Sequence, residues 1–391
     1  MLTWLACLVA PKLQDLTEAP AVDLPEPSPH AELLERARQA WTELAAIPWQ
    51  PRAGLDAYDI MLGVACRDIV TREADQHPDT AGRTPNYARF PAFQEVSVPG
   101  ADGVTLTGRR STGAPGAPVV IVVHGLYDSH TSLYIVELAE VLRRWGFHVL
   151  ALDLRDHGRL RGRPPPSALG VHEGRDLFAA ATALSEAEGV SVGILGVSFG
   201  GQCAVRAAYE ASLAGRPEVL RGGVLALSAP LDAQAGVVAI DDPSRLPRPP
   251  GLKQRLILRN FLKTLHRHLL LHIREHGPFG HPVEDFETYI RDVVLPAYPK
   301  DPALVGAYLG AARSAQPEVI SRLAVPVAVI HAADDPIVSI QHLRLTAALG
   351  KDNPFVFTRE LPSGGHMGFA ELDPRALLLM LATFFGRLRD G

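Results

Sequence analysis

Cysteine is almost absent from the sequence, and charge is not concentrated in one sign. The 391-residue chain has three cysteines, Cys7, Cys66 and Cys203, which lie too far apart for a disulfide framework or a cysteine-based zinc site. The net charge is −5 and there is no dense Lys/Arg stripe, so nothing indicates nucleic acid as a partner. The sparse cysteines are typical of a reducing compartment and predict a cytoplasmic location.

Long hydrophobic runs are also missing. The first ten residues are mostly apolar and include no basic n-region, and Pro11 and Lys12 follow at once. This segment is too short to span a membrane and is a poor signal peptide, so we expect it to pack on the body of the protein. Export is the alternative. Apolar residues nevertheless make up 47% of the chain, which is typical of a globular protein with a large core.

Apolar runs that alternate with helical patterns predict the fold class. Val119–Val123 and Val325–Ile330 are continuous apolar runs, typical of strands that are buried on both faces of a parallel sheet. The pattern from Phe93 to Arg110 instead predicts a hairpin. Strands then alternate with helices of about ten to fifteen residues, and we predict an α/β fold with a doubly wound, mostly parallel sheet.

The strand pattern stops in the middle of the chain. The predicted divisions are an N-terminal segment, linker and helical extension (1–92), a first core part (93–231), a helical cap insertion (232–323) and a second core part (324–391). Lys253–Glu275, in the insertion, reads as a strongly apolar helix or helix pair. Such an insertion predicts a cap over the strand ends, where ligands of open α/β sheets bind.

The most informative motif is Gly196-x-Ser198-x-Gly200, which lies between a predicted strand and a predicted helix. In that setting the motif is typical of a nucleophile elbow, in which glycines relieve the crowding around a serine in a strained turn. The free N–H groups and the positive dipole end of the following helix favour an oxyanion. We therefore predict Ser198 as a catalytic nucleophile.

A serine nucleophile needs a base and an acid that orients the base. His366 follows two glycines that permit a tight loop, and we predict it as the base. Asp335 comes just after a predicted strand and directly before a proline, which favours an extended backbone, and we predict it as the acid. The chain order Ser198, Asp335, His366 is the order of nucleophile, acid and base that is typical of an α/β sheet with a nucleophile elbow. Asp334 and Asp232 are the alternatives for the acid.

An oxyanion hole needs two N–H donors. The first is the N–H of Phe199, the residue after the nucleophile. We expect the second from the loop after Val119–Val123, where Leu126 is preferred and Tyr127 is the alternative. His124 begins this loop, and we expect it to hold the loop by hydrogen bonding and not to react. No cofactor and no metal are predicted.

These motifs together resemble the α/β-hydrolase superfamily over residues 93–386. The motifs, in family order, are His124-Gly125, Gly196-x-Ser198-x-Gly200, Asp335-Pro336-Ile337-Val338 and Gly364-Gly365-His366. The loop from His124 to Ile135, together with residues 365–369, more narrowly resembles the YheT-like hydrolases. The superfamily resemblance implies hydrolysis of an ester, thioester or lipid, or acyl transfer, without a cofactor.

The apolar cap segment indicates the substrate class. We expect a small-molecule ester with an apolar, lipid-like acyl group, because apolar side chains dominate residues 253–275. Basic residues accompany them, which leaves open a peripheral contact of the cap with a membrane surface. Acyl transfer through the same acyl-enzyme and a non-catalytic binding protein are the alternatives to hydrolysis.

A second motif indicates different chemistry. His272-Ile-Arg-Glu275-His276 matches His-x-x-Glu-His, a zinc-peptidase arrangement that places two imidazoles one turn apart on a helix. Glu284 and Asp301 follow downstream, but neither is a convincing third ligand. We interpret the motif as a solvated helix face, and zinc catalysis and adventitious or regulatory metal binding are the alternatives.

Overall fold

An eight-stranded sheet forms the centre of the protein. A computed structural model describes residues 15–26, 32–63, 86–232, 241–242, 246, 249, 251–277, 285–298 and 317–389. The strands are β1 (Gln94–Pro99), β2 (Thr105–Ser111), β3 (Val119–Val123), β4 (His148–Leu152), β5 (Val192–Val197), β6 (Val224–Leu227), β7 (Val327–Ala332) and β8 (Val356–Leu361). Their order across the sheet is β1-β2-β4-β3-β5-β6-β7-β8. Strand β2 is antiparallel to both neighbours and the pairs from β4 to β8 are parallel, which confirms the predicted sheet.

Helices connect these strands. They are α1 (Leu33–Ala46), α2 (Leu133–Arg144), α3 (Val171–Glu188), α4 (Phe199–Leu213), α5 (Leu252–Glu275), α6 (286–297), α7 (Pro317–Ser321), α8 (Gln341–Gly350), α9 (Phe369–Leu372) and α10 (Pro374–Leu388). Within α6, Ile290–Val294 is a π-turn. Residues 57–63 are also helical. Short 3₁₀ turns lie at Leu16–Glu18, Asn86–Arg89, Ala101–Gly103, Gly158–Leu160 and Pro217–Leu220.

Alternate residues of β3 point into two different cores. Val120 and Val122 belong to a core with residues of α1, α2 and α10, whereas Ile121 belongs to one with residues of α3, α4 and α8. All five residues of β3 are buried. Because both faces are covered by helices, every position of the strand is apolar, and this is why its sequence shows no alternation.

Several predicted elements differ from the structure. The segment predicted as a helix or helix pair is one helix, α5. Strand β8 was not predicted, because it is a half-buried edge strand that includes Arg359 and Glu360. The apolar N-terminus lies outside the described residues. The division into four parts stays a prediction.

The loop after β4 is fixed by a buried ion pair. The guanidinium of Arg155 donates two hydrogen bonds of 2.6 Å to the carboxylate of Asp176 on α3, and both side chains are almost fully buried. Arg155 also donates to the phenol oxygen of Tyr298, at 2.8 Å, from the inserted segment. Glu173, in the first turn of α3, accepts hydrogen bonds from the N–H groups of Ala168 and Gly170. The loop is therefore bound to α3 along much of its length.

We expect Arg155→Met to lower the free energy of unfolding by about 3–5 kcal/mol, because it leaves the Asp176 carboxylate buried without its cation. The double variant Arg155→Met/Asp176→Leu removes both charges and should recover part of this loss. Urea denaturation measures both. Arg216→Met is the control, because its pairs with Glu186 and Glu218 are exposed and should contribute little. If Arg155→Met and Arg216→Met lowered the free energy of unfolding equally, the buried Arg155–Asp176 pair would not have the stabilising role assigned to it.

Candidate active site

Ser198 lies in a strained turn between β5 and α4. Its backbone φ is 53° and its ψ is −122°, a conformation that residues with side chains rarely adopt. A Cβ atom on Gly196 would lie 2.3 Å from the carbonyl oxygen of Gly200, and one on Gly200 would lie 2.5 Å from that of His124. Only glycine fits at these two positions, as the motif predicts.

Three predicted residues form a continuous hydrogen-bonded group, which we call the candidate triad: Ser198, His366 and Asp335. Ser198 Oγ lies 3.0 Å from His366 Nε2, and His366 Nδ1 lies 2.8 Å from Asp335 Oδ2. Because Nδ1 faces a carboxylate, it bears the ring proton, and Nε2 is left to accept the proton of Ser198.

The Asp335 carboxylate is held in place by the backbone. Its Oδ1 accepts the N–H groups of Ile337 and Val338, at 2.8 and 2.9 Å. Burial alone would raise the pKa of Asp335, but the neighbouring His366 and these hydrogen bonds together hold it below its ordinary value. The carboxylate therefore stays ionised at neutral pH, where it can stabilise a protonated His366.

Asp334 positions the histidine loop. Its carboxylate accepts the N–H of Gly365, at 2.8 Å. Gly365 and Met367, on either side of His366, both have positive φ values of 55° and 68°, so the loop turns sharply. Asp335, and neither Asp334 nor Asp232, makes the hydrogen bond to His366.

The loop after β3 lies directly against Ser198. A Cβ atom on Gly125 would lie 3.4 Å from Ser198 Cβ. Within the part of the chain that the structure describes, the N–H groups of Leu126 and Phe199 donate to no other group. Phe199 is the first residue of α4, so its N–H is one of the donors that a helix leaves without an internal acceptor. Phe199 directly follows Ser198 and Leu126 directly follows Gly125, so both predicted oxyanion donors belong to segments next to Ser198.

His124 holds this loop, as expected from the sequence. Its Nδ1 donates to the carbonyl oxygen of Gly125, at 2.7 Å, and its Nε2 accepts the N–H of Leu154, at 3.2 Å. Burial lowers the pKa of His124, so the ring is neutral and keeps this donor–acceptor arrangement.

A buried histidine that the sequence analysis missed lies under the loop after β3, which we call the oxyanion loop after its predicted role. The ring of His157 stacks on Phe199, with centroids 5.7 Å apart, and on Tyr127, at 6.0 Å. Burial lowers the pKa of His157 to about 3, and His124 acts in the same direction. His157 is thus a neutral packing residue. Its sequence context gives no signal of this contact.

The His-x-x-Glu-His motif is not a solvated helix face, and that expectation is wrong for His272. His272 is 1% exposed, and its Nε2 lies 2.8 Å from the carboxylate of Asp156. The Nε2 of His276 lies 2.9 Å from the same carboxylate. Glu275 pairs instead with Arg161, at 2.6 Å. Glu284 and Asp301, the weak third-ligand candidates, lie outside the described residues.

Helix α5 is anchored at both of its ends. Near its start, Gln254 donates to Asp56, at 3.1 Å, and Lys253 pairs with Asp59. Its end contacts the loop after β4 through His272 and His276. The buried apolar positions are Leu258, Leu262, Leu269 and Ile273, and the exposed ones include Leu252, Leu256 and Leu271.

Among the described residues, no helix is both long enough and apolar enough to cross a bilayer. Contact of α5 with a membrane surface stays a prediction.

Comparisons with a family model and with solved structures identify proteins that share this fold. A family model described as the alpha/beta hydrolase fold matches residues 118–372, more than half of the chain. An esterase of Pyrococcus furiosus is 19% identical, with a TM-score of 0.51, over 78% of this chain and 95% of that chain. An alpha/beta hydrolase of a Penicillium species is 16% identical, with a TM-score of 0.50, over 75% and 97%.

A puromycin-hydrolysing peptidase of Mycobacterium tuberculosis is 18% identical, with a TM-score of 0.51, over 80% of this chain and 42% of that chain. A comparison with curated proteins gives no match. At these identities the solved structures show a shared fold, and the narrower YheT-like branch stays a prediction. The family match and the mostly parallel sheet agree: this chain belongs to the alpha/beta hydrolase fold family.

Proposed function

We propose that the protein is a serine hydrolase that cleaves carboxylic esters through an acyl-enzyme on Ser198. The observation that supports this best is the hydrogen-bonded sequence Ser198 Oγ, His366 Nε2, His366 Nδ1 and Asp335 Oδ2, with distances of 3.0 and 2.8 Å. Membership of the alpha/beta hydrolase fold family supports the reaction class.

The geometry suggests a role for each group. Ser198 Oγ attacks the ester carbonyl carbon while its proton passes to His366 Nε2. The N–H groups of Phe199 and Leu126 stabilise the oxyanion of the tetrahedral intermediate, and Asp335 stabilises the imidazolium. His366 then protonates the leaving alcohol. Water attacks the acyl-enzyme by the same route, which releases the acid and restores Ser198.

Two apolar clusters next to the candidate triad support an apolar acyl group. In one, Leu258 and Leu262 of α5 pack near Ile337, two residues after Asp335. In the other, residues of α5 and α6 pack against Leu126 and Tyr127 of the oxyanion loop. An aliphatic acyl chain matches this chemistry.

We expect Ser198→Ala to lower kcat on the order of 10⁶-fold and Asp335→Asn on the order of 10⁴-fold, because the first removes the nucleophile and the second disturbs the His366 tautomer. Steady-state ester hydrolysis measures both. Ser212→Ala is the control, because Ser212 lies at the far end of α4 and bonds only to backbone groups. It should keep wild-type kcat.

A fluorophosphonate probe followed by peptide mass spectrometry identifies the nucleophile independently of the substrate. We expect the adduct on Ser198, and His366→Ala should abolish it. Near-normal turnover of Ser198→Ala on the true substrate, or labelling of another serine, would overturn the mechanism. A folded protein that resists the probe would favour the non-catalytic alternative.

Acyl-chain preference is a separate expectation. Across p-nitrophenyl esters from acetate to octanoate, kcat/KM should rise by roughly fourfold per methylene until the site is full, since each buried methylene contributes about 0.8 kcal/mol. A flat or falling series would contradict the apolar acyl site and leave the Ser198 mechanism intact.

Acyl transfer is the alternative that shares every residue of the candidate triad. Addition of an excess of a primary alcohol during turnover separates the two, because a transferase yields the new ester in place of the free acid. We expect the acid to remain the main product. A cytoplasmic location stays a prediction.

A further inference from the structure

Asp156, His272 and His276 form a group separate from the candidate triad. Their ligand atoms all lie within 4.8 Å of one another. The two histidines are four residues apart on α5, so their imidazoles project from the same face of the helix, one turn apart. Asp156 comes from the loop after β4. We propose that this group binds one divalent transition-metal ion, of the zinc class, which links α5 to the core.

The donor atoms suit such an ion. Two imidazole nitrogens and one carboxylate oxygen form a common three-residue ligand set for zinc, with a fourth position for water. Ligand atoms of a tetrahedral zinc site are ~3.3 Å apart when metal–ligand distances are ~2.0–2.1 Å. The His272 and His276 nitrogens are 2.8 and 2.9 Å from the carboxylate, so a shift of about half an ångström accommodates an ion.

The carboxylate is held in one orientation before any ion binds. Asp156 accepts the N–H groups of Gly162 and Ser167, at 2.9 and 3.0 Å, and the hydroxyl of Tyr289, at 3.3 Å. Such outer partners fix metal-binding carboxylates. Asp156 is 1% exposed, so this orientation is protected from water.

The number of donors around this carboxylate also favours a cation. Three donors from the core and cap, with the nitrogens of His272 and His276, give five groups directed at one carboxylate, which has about four lone-pair sites. An ion between the carboxylate and the imidazoles would replace two N–H protons, so every lone pair would have one partner. His276 is partly exposed and gives the ion a path from solvent.

An ion bound by this group would also affect the loop after β3, because His272 contacts that loop. The ring of His272 contacts the ring of Tyr127 in the oxyanion loop, with centroids 5.1 Å apart. An ion bound by His272 and Asp156 would thus fix the end of α5 against the loop that supplies an oxyanion donor.

Zinc binding tests the proposal on the full-length protein. The chelator-treated wild type is titrated with Zn²⁺ by calorimetry, and we expect one ion per chain. His272→Gln and His276→Gln keep an N–H donor for Asp156 but lose a good metal ligand. Each should weaken binding by more than the roughly 10–100-fold that loss of an outer partner costs. His268→Gln is the matched control, since His268 lies one turn earlier on α5 and outside the group.

The outcomes separate clearly. No binding by the folded wild type, or equal affinity in His276→Gln and His268→Gln, overturns the proposal, and the second result shows surface binding only. Thermal unfolding without metal verifies that each variant folds. If neither glutamine variant folds, the Co²⁺-loaded wild type decides: strong four-coordinate absorption bands support the site, and the spectrum of hydrated Co²⁺ overturns it. Because binding is the readout, failure of the hydrolase proposal would not affect this test.

Discussion

The close approach of β3, β5 and α4 around Ser198 is the constraint on which the candidate site depends. The turn leaves no room for a Cβ atom on Gly196 or Gly200, and the N–H of Ser198 is held by the carbonyl oxygen of Leu227 on β6, at 2.8 Å. The strained backbone of Ser198 persists because the parallel strands on both sides fix it. Its Oγ and the N–H of Phe199 are therefore placed by the sheet itself and not by a mobile loop.

Aspartate carboxylates, most of them buried, hold the loops as the sheet holds Ser198. After β7, Asp335 accepts the N–H groups of Ile337 and Val338, and Asp334 accepts the N–H of Gly365 in the loop after β8. The same kind of contact recurs after β4, where Asp153 and Asp156 bind backbone N–H groups. An ionised carboxylate satisfies several backbone donors at once, so irregular chain can be buried at the strand ends. These hydrogen bonds give the loops around the candidate triad a defined conformation.

Local patterns predicted much of this arrangement. The glycines around Ser198, the apolar run of β3 and the glycines before His366 each express a steric or burial requirement that can be read within a few residues. Contacts between distant residues were beyond such reasoning. Asp156 and His272 are 116 positions apart, and only the packing of α5 on the core brings them together. Half-buried β8 lacks the continuous apolar run of the inner strands, so its sequence gives a weak strand signal.

Helix α5 has 24 residues and spans about 36 Å. Contacts hold the helix at both ends. Lys253 and Gln254 attach its first turn to the segment before the sheet, and His272 and His276 attach its last turn to the loop after β4. While both sets of contacts persist, α5 cannot rotate away from the core about one of its ends. The exposed Lys253 contact is the weaker support because water competes for it. Separation of α5 from the core should therefore begin at its N-terminal end, while the end near the oxyanion loop stays in place.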